Sequence, residues 1–331
     1  MEAQDDLVST EPAEPASVLR WRTMLAVPLA AVVALGIHFL IAKSEPALEA
    51  RSYRLLFGEV IGVSIVLALL RRFSPALRSW MARMWPVFTA AILLLCVWDI
   101  VTLGFRMLPL PYFPGPSNVL RNLINDRVLL LDSTWHSLVL LLSGYALGVI
   151  AGLISGICIG WSTPIRYWGM PILKVIGPIP ATAWIPLAMV LSPSAVVSSA
   201  ALIALAVWFP VTMLTASGIS NTRASYLDVA RTLGAGRTYL IFRVAIPAAL
   251  PNIFIGLFMG LGASFLTLVV AESVGVKSGL GWYVSWAQGW AEYGKVFAAL
   301  IIMAAFFSTI MTLLFKLRDR VLVWQRGIIK W

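Results

Sequence analysis

Asp228-Val229-Ala230-Arg231-Thr232-Leu233-Gly234-Ala235-Gly236-Arg237-Thr238-Tyr239-Leu240-Ile241-Phe242-Arg243-Val244-Ala245-Ile246-Pro247 is a short basic segment set between two long apolar stretches. A basic stretch flanked in this way marks a loop on the cytoplasmic side of a membrane, and a polar helix there needs a partner. The expected element is a helix over 224–240. On it Ala230 and Gly234, four residues apart, share one face with almost no side chain between backbone and partner. Arg231, Arg237 and Arg243 surround that face with positive charge, and Asp228 is placed to cap or orient the helix at its N-terminal end. Pro247 begins the following apolar run, in the first-turn position where a helix tolerates proline.

Outward from this segment the chain is written for a bilayer. Of its 331 residues, 60% are hydrophobic and 12% charged, and the mean hydropathy of +0.88 is far from that of soluble domains. Eight runs approach the ~20 apolar residues that cross a membrane. They are Met24–Ala42, Leu55–Leu70, Trp85–Met107, His136–Gly160, Pro171–Leu191, Ala195–Ala216, Ala248–Val270 and Val296–Phe315. The second is short for a full crossing and is bordered by Arg71 and Arg72, which can snorkel to the interface. The fold class expected is therefore all-α and polytopic.

The net charge of +10 raises nucleic acid as a partner, but the basic residues lie in short clusters between apolar runs, as positive-inside loops do. No basic run is interleaved with stacking aromatics on a soluble domain, so nucleic-acid binding is excluded. With the N-terminus inside, 16 Lys and Arg fall on the cytoplasmic side and 8 on the opposite side, with Lys174 near a span end. Both termini and the 217–246 loop are expected to be cytoplasmic. Residues 1–19 form an acidic tail, with Glu2, Asp5, Asp6, Glu11 and Glu14, and lack the basic start and cleavage site of a signal peptide. Trp135, Trp161, Trp168, Trp282, Trp286, Trp290, Trp324 and Trp331 sit beside span ends, as an interfacial belt requires. The 318–331 tail, alternating apolar and basic residues, is expected to lie on the inner membrane surface or to continue the last helix.

The segment 228–247 resembles the cytoplasmic coupling loop of ABC importer permeases, whose pattern reads Glu-Ala-Ala, three residues, Gly, nine residues, Ile, one residue, Leu, Pro. Asp228 stands for the Glu, Val229 and Ala230 for the two Ala, Gly234 for the Gly, Val244 for the Ile, Ile246 for the Leu and Pro247 for the Pro. The spacing is kept, and Val229 adds volume where the family has a methyl. Pro178-Ile179-Pro180-Ala181-Thr182-Ala183-Trp184-Ile185-Pro186, Gly279-Leu280-Gly281-Trp282-Tyr283 and the proline-rich run Leu108–Ser117 resemble the nitrate, sulfonate, taurine and bicarbonate branch. The resemblance implies a six-span type I permease core over 85–317, with two extra spans in 20–84. It also implies a homodimer, two copies of a separate ABC ATPase carrying ATP and Mg²⁺, and an extracytoplasmic substrate-binding protein. The location implied is a bacterial inner membrane, and the substrate a small anion. Asp228, Val229, Ala230, Arg231, Gly234, Arg237, Ile246 and Pro247 then carry the coupling to the ATPase, with Arg231 or Arg237 pairing with acidic residues there.

A transport path needs polar groups at membrane depth, and irregular backbone is tolerated there only inside protein or beside water. Gly177, Pro178, Pro180 and Pro186 break an otherwise apolar span, because each proline removes a helix hydrogen bond. Pro178, Pro180, Thr182 and Trp184 are therefore expected at the path or its gate. Ionisable residues in spans are costly and become candidates by default. Glu272 is expected to hold a gate, by pairing with a basic residue or capping backbone amides. Asp99 and Glu59 are expected to pair with Arg106 or Arg54. Gly144, Gly148, Gly152 and Gly156 form a small-residue stripe for close helix packing, within the chain or between copies.

Cys96 and Cys158 lie in apolar runs with no CxxC and no neighbouring His, and are read as packing residues. His38 and His136 are isolated in sequence. No phosphate-binding loop, zinc-protease or serine-hydrolase motif is present, so no catalytic residue, metal or bound nucleotide is expected on this chain. The alternative reading is a secondary transporter or channel driven by an ion gradient. It predicts paired intramembrane ionisable residues and an internal repeat, and neither is legible in the sequence.

Overall fold

The computed structural model describes residues 16–41, 47–105 and 111–325. The acidic segment 1–15, Arg106 and the first part of the proline-rich run, and the tail 326–331 lie outside the described residues. Among the described residues every regular element is helical, as expected of a chain that must satisfy its backbone hydrogen bonds inside lipid. Among the described residues, six helices are long and apolar enough to cross a membrane: Arg51–Leu70, Pro75–Gly104, Arg127–Trp161, Ala195–Ser220, Arg237–Val274 and Tyr293–Val321. Residues 24–41 of the first expected span lie in the helix Ala16–Ile41. The second, expected to be short, is one of the six, and the fifth is a pair of helices meeting at 84°.

The residues fall into two compact units that divide between Asn125 and Asp126. The span expected to open the six-span core, 85–107, thus belongs to the first unit together with the two spans before it. That unit contains α1 (Ala16–Ile41), α2 (Ala47–Leu70), α3 (Pro75–Asp99) and α4 (Pro116–Asn125). Ser74 caps α3 by accepting from the Leu77 N–H, with Pro75 in the first turn. Ala31, Ala34, Tyr53, Phe57, Trp85 and Cys96 pack the interior.

At the end of α3, just before a π turn over Ile100–Gly104, Asp99 is buried and meets His38 of α1, Oδ2 to Nδ1, at 2.9 Å. The Tyr53 ring lies 4.5 Å from the His38 ring. The carboxylate thus has a partner 61 residues earlier in sequence, and the expected pairing with Arg106 lies outside the described residues. Glu59 is exposed on α2 and makes no ion pair with Arg54, whose guanidinium lies over Phe39. Removing one member of the buried pair strands the other, at a cost of roughly 3–5 kcal/mol. His38→Leu or Asp99→Leu alone should therefore lower thermal stability more than the double replacement. Additive losses in unfolding midpoints would rule out this coupling.

The second unit contains α5 (Arg127–Trp161), α6 (Thr163–Ile176), a 3₁₀ turn (Ala181–Trp184), α7 (Ile185–Leu191) and α8 (Ala195–Ser220). After these come α9 (Ala224–Thr232), a single turn α10 (Arg237–Tyr239), a π turn (Leu240–Ala245), α11 (Ile246–Val274), α12 (Leu280–Gly289) and α13 (Tyr293–Val321). Its centre is α8, held between α5 and α11 by small residues. The glycine stripe, which continues to Gly160, is used within the chain. A Cβ on Gly144, Gly148, Gly152, Gly156 or Gly160 would lie 2.5–2.8 Å from the nearest atom of α8. Without lipid-excluding force between helices, such close backbone approach is what holds them. On the other side Gly256 and Gly260 of α11 meet Pro210, Val211 and Val207 of α8. Tyr145 of α5 donates to the Leu257 carbonyl of α11 at 3.0 Å.

The end of α5 is tied off by Arg166 of α6, which donates to the carbonyls of Ile159 and Gly160 and satisfies acceptors the helix leaves open. Stacked pairs Phe265–Phe307 and Phe258–Phe315 join α13 to α11. Cys96 is buried in the first unit and Cys158 is exposed on α5, and both are free thiols.

Candidate functional site

Three places in the second unit carry the residues singled out in the sequence. The first is the segment between α8 and α11. The helix expected over 224–240 spans only Ala224–Thr232, and its N-cap is Arg223, whose guanidinium sits 5.9 Å from the Tyr226 ring centroid. Asp228 is the fifth residue of α9, not its cap, and it accepts from Arg231 at 2.9 Å on an exposed face. Both departures have a local cause. Gly234 has φ +83°, the Gly234 N–H donates to the Arg231 carbonyl, and the Ala235 N–H donates to the Ala230 carbonyl. That is a Schellman stop, which favours a residue without a Cβ at the left-handed position. Gly234 thus ends the helix and does not share a helical face with Ala230. A Cβ there would meet nothing within 4 Å, so what the glycine provides is the turn.

The chain re-enters helix at Arg237 and passes through the wide π turn before Pro247, which has no N–H to donate to the preceding turn. Leu240 and Ala245 are buried and anchor the segment, with Ile246 packed against Ala249 and Ile253 of α11 and Ile219 of α8. Outward, Tyr226, Val229 and Leu233 are exposed at i, i+3 and i+7, and Leu233 is 83% exposed. The extra bulk of Val229 is therefore part of an apolar outer face. The sequence signal was available as an apolar stripe at helical spacing in an otherwise polar loop.

The second place is the broken span. Pro178 and Pro180 stop α6 after Gly177, the 3₁₀ turn follows, and Pro186 lies in the first turn of α7. The Phe209 ring of α8 packs directly on Gly177, where a Cβ would overlap it at 2.0 Å. Beside the bend is a cavity of about 360 Å³ walled by the bend, α8 and α11, including Pro180, Thr182, Leu205, Phe209, Met259 and Thr267. Pro180 and Thr182 thus line it, whereas Pro178, Trp184 and Glu272 do not.

The third place is at the far end of α11 from the segment between α8 and α11. Glu272 is buried there and, among the described residues, forms no salt bridge. Its Oε1 accepts from the Ser137 hydroxyl of α5 at 2.7 Å, and its Oε2 accepts from the Gly281 N–H at 2.8 Å. Ser137 accepts in turn from the Leu280 N–H at 2.9 Å. The carboxylate and hydroxyl thus satisfy the first amides of α12, at the end where its dipole favours negative charge. Gly279 (φ +106°) and Gly281 leave room, since a Cβ on either would lie within 3 Å of Glu272.

On another side of α12, the Tyr283 hydroxyl donates to Asp126 at 2.7 Å, and Lys295 bridges Asp126 and Glu292 over the Trp286 ring. Burial first, and the neighbouring Asp126 carboxylate second, push the Tyr283 phenol well above its ordinary range, so it remains a donor. Sequence reasoning found Glu272 but not Ser137, Asp126 or Tyr283, whose partners lie 135–157 residues away. Glu272→Leu should leave the Ser137 hydroxyl and the Gly281 amide without acceptors, at roughly 1–3 kcal/mol each. Glu272→Gln keeps one acceptor and adds a donor for Ser137. Hydrogen exchange over 278–289 should rise at least tenfold in the leucine variant and much less in the glutamine variant; equal protection in all three would contradict this anchoring.

Residues 144–322 match the family profile described as binding-protein-dependent transport system inner membrane component. A probable ABC transporter permease protein of Haemophilus influenzae is 32% identical over 66% of this chain and 89% of its own length. A putative aliphatic sulfonates transport permease protein of Bacillus subtilis is 36% identical, over 57% and 66%. The taurine transport system permease protein of Escherichia coli is 31% identical, over 73% and 88%. The matched stretch contains the segment between α8 and α11, the broken span and Glu272 with α12, but not Ser137.

Proposed function

The chain belongs to the binding-protein-dependent transport inner-membrane component family, and from that premise we propose that two copies of it enclose the path of a small anion. It is a multi-pass permease subunit of an ABC importer, working with an ATPase and a substrate-binding protein. The finer reading is a homodimer in a bacterial inner membrane with both termini cytoplasmic. One ATPase, loaded with ATP and Mg²⁺, docks on each coupling segment, and this chain has no chemistry of its own. The substrate is an oxyanion or related organic acid such as nitrate, a sulfonate or taurine, the class to which two relatives' names point. The observation that carries the reading is the coupling segment: a nine-residue helix, stopped by Gly234, that presents Tyr226, Val229 and Leu233 to solvent while Leu240 and Ala245 anchor it.

In this reading ATP draws the two ATPases together, α9 moves with them, and α8 and α11 carry the movement to the cavity beside the bend. Only the partners supply unequal affinity for the inward and outward states. Pro180 and Thr182 border the path, and Glu272 holds α12 at its outer mouth. The test is a mild-detergent pull-down of the full chain with mass spectrometry and an ATPase assay on the eluate. Recovery of an ATP-binding protein, lost when 228–237 is scrambled in a still-folded permease, supports the reading. Recovery of the chain alone, with gradient-driven uptake in vesicles lacking ATP, would favour the secondary transporter.

A further inference from the structure

We propose that the hairpin joining α2 to α3 binds the phosphodiester headgroup of an anionic phospholipid, in the leaflet that this hairpin faces. Arg71 and Arg72 directly follow α2, and Arg78 and Arg83 lie in the first three turns of α3. Arg72, Arg78 and Arg83 are exposed. No Asp or Glu occurs between Glu59 and Asp99, and among the described residues none of the four arginines forms an ion pair. By contrast, the basic stretches at 228–243 and 316–320 each contain an acid, with Arg231 on Asp228 and Arg318 on Asp319. Membrane topology alone asks for a basic loop. It does not ask for four arginines without a counter-charge, whose mutual repulsion an anion relieves. A guanidinium fork takes two oxygens of one phosphate at once.

The arginines also stand at the depth of lipid phosphates. The span Arg51–Leu70 has 20 residues, which rise about 30 Å, the thickness of the hydrocarbon layer. Arg71 and Arg72 come immediately after it. The span Pro75–Gly104 has 30 residues and is about 15 Å longer, and its surplus is the basic first stretch before Trp85. Arg83 thus stands about 3 Å beyond the hydrocarbon edge and Arg78 about 10 Å beyond it. Aromatic side chains mark the same level. Trp80 is exposed beside Phe88, with ring centroids 6.1 Å apart, and Phe73 is 81% exposed at the turn. Such rings settle where headgroups meet acyl chains. Met81 and Trp85 are buried in the interior of the unit, so Trp80 and Arg83, three residues apart, project outward together. The site lies wholly within the first unit and stands apart from the importer reading.

The experiment titrates the full chain in detergent with dioleoylphosphatidylglycerol or dioleoylphosphatidylcholine and counts bound lipid by native mass spectrometry. The anionic lipid should bind roughly tenfold or more tightly than the zwitterionic one. Arg72→Gln with Arg83→Gln should weaken the anionic lipid about 25-fold, or about fivefold for each arginine, and leave the zwitterionic one unchanged. Lys316→Gln with Arg320→Gln removes the same charge elsewhere and should weaken it less than about threefold. If the arginine pair variant does not fold, Arg83→Gln alone decides, with its fivefold loss. Equal losses in the two pair variants would mean diffuse attraction and overturn the proposal. Glycerol 3-phosphate bound as tightly as the anionic lipid would make the ligand a soluble phosphate, and overturns it too. So does a full chain that prefers the anionic lipid only after Asp5→Asn, Asp6→Asn, Glu11→Gln and Glu14→Gln, because the acidic tail would then be what holds these arginines.

Discussion

Gly148→Leu should separate α5 from α8 and leave a permease that no longer survives extraction as a folded chain. A Cβ at this position would lie 2.5 Å from the Ala204 carbonyl oxygen and 2.7 Å from the Val207 Cβ. The first of these is backbone, so no side-chain rotation relieves it. Relief requires the helices to part, and Gly144, Gly152, Gly156 and Gly160 would lose their contacts with α8 in the same movement. Overpacking a tight interface costs about 1–3 kcal/mol and occasionally more, and here the cost is spread along five successive turns. Even Gly148→Ala should lower the unfolding midpoint, despite the ~0.5–1 kcal/mol that alanine gains over glycine in a helix. Gly262→Ala is the matched comparison, because a Cβ there meets nothing within 4 Å, and it should be neutral or stabilising. Unfolding midpoints in detergent check the pair. A Gly148→Leu protein as stable as the Gly262→Ala protein would mean that the stripe does not set the distance between α5 and α8.

The stripe illustrates what the sequence could and could not convey. Four glycines at four-residue spacing announced a close helix contact, because that pattern follows from the helix repeat alone. It could not say whether the partner was within the chain, since a copy would present the same α8 surface. The break at 177–186 was legible for a similar reason: three prolines inside one apolar run cannot continue a helix. Its angle and the Phe209 ring that sits on Gly177 were not, because neither depends on the local sequence. The His38–Asp99 pair was missed altogether. His38 looked isolated along the chain and Asp99 was assigned to a nearby arginine, and only the packing of α1 against α3 brings the two to 2.9 Å. Glu272 was legible as an oddity at the end of an apolar run, but its hydrogen-bond partners depend on where α5 and α12 arrive.

The coupling segment shows the subtler error. Its pattern singled out the segment, yet spacing alone placed Ala230 and Gly234 on one helical face, and the backbone does something else. Gly234 sits at φ +83° as the stop signal of α9. That distinction separates two substitutions with different expected results. Gly234→Val forces a β-branched residue into the left-handed region, at more than the roughly 1–2 kcal/mol that an ordinary L-residue bears there. It should fray α9 from Ala230 onward, because the Gly234 and Ala235 amides lose their carbonyl partners. A D-alanine at the same position, introduced by semisynthesis, adds a side chain while accepting positive φ, and it meets open space. If the glycine serves the turn, D-alanine should keep ATPase binding and uptake near the parent level while valine loses both. If the glycine instead makes room for the partner surface, both should fail together.

Leu233→Asp provides the complementary loss at the surface itself. The side chain is 83% exposed, so its replacement should change stability by less than about 0.5 kcal/mol. Placing a charge at the centre of an apolar contact formed with Tyr226 and Val229 should instead weaken ATPase docking by about 2 kcal/mol, near 30-fold in affinity. Uptake would then fall in step with the ATPase recovered in a pull-down, while the unfolding midpoint of the permease stays put. Full docking by Leu233→Asp would place the contact elsewhere, on Arg237 and the turn that follows. The apolar stripe of α9 would then be a surface that the partner does not use.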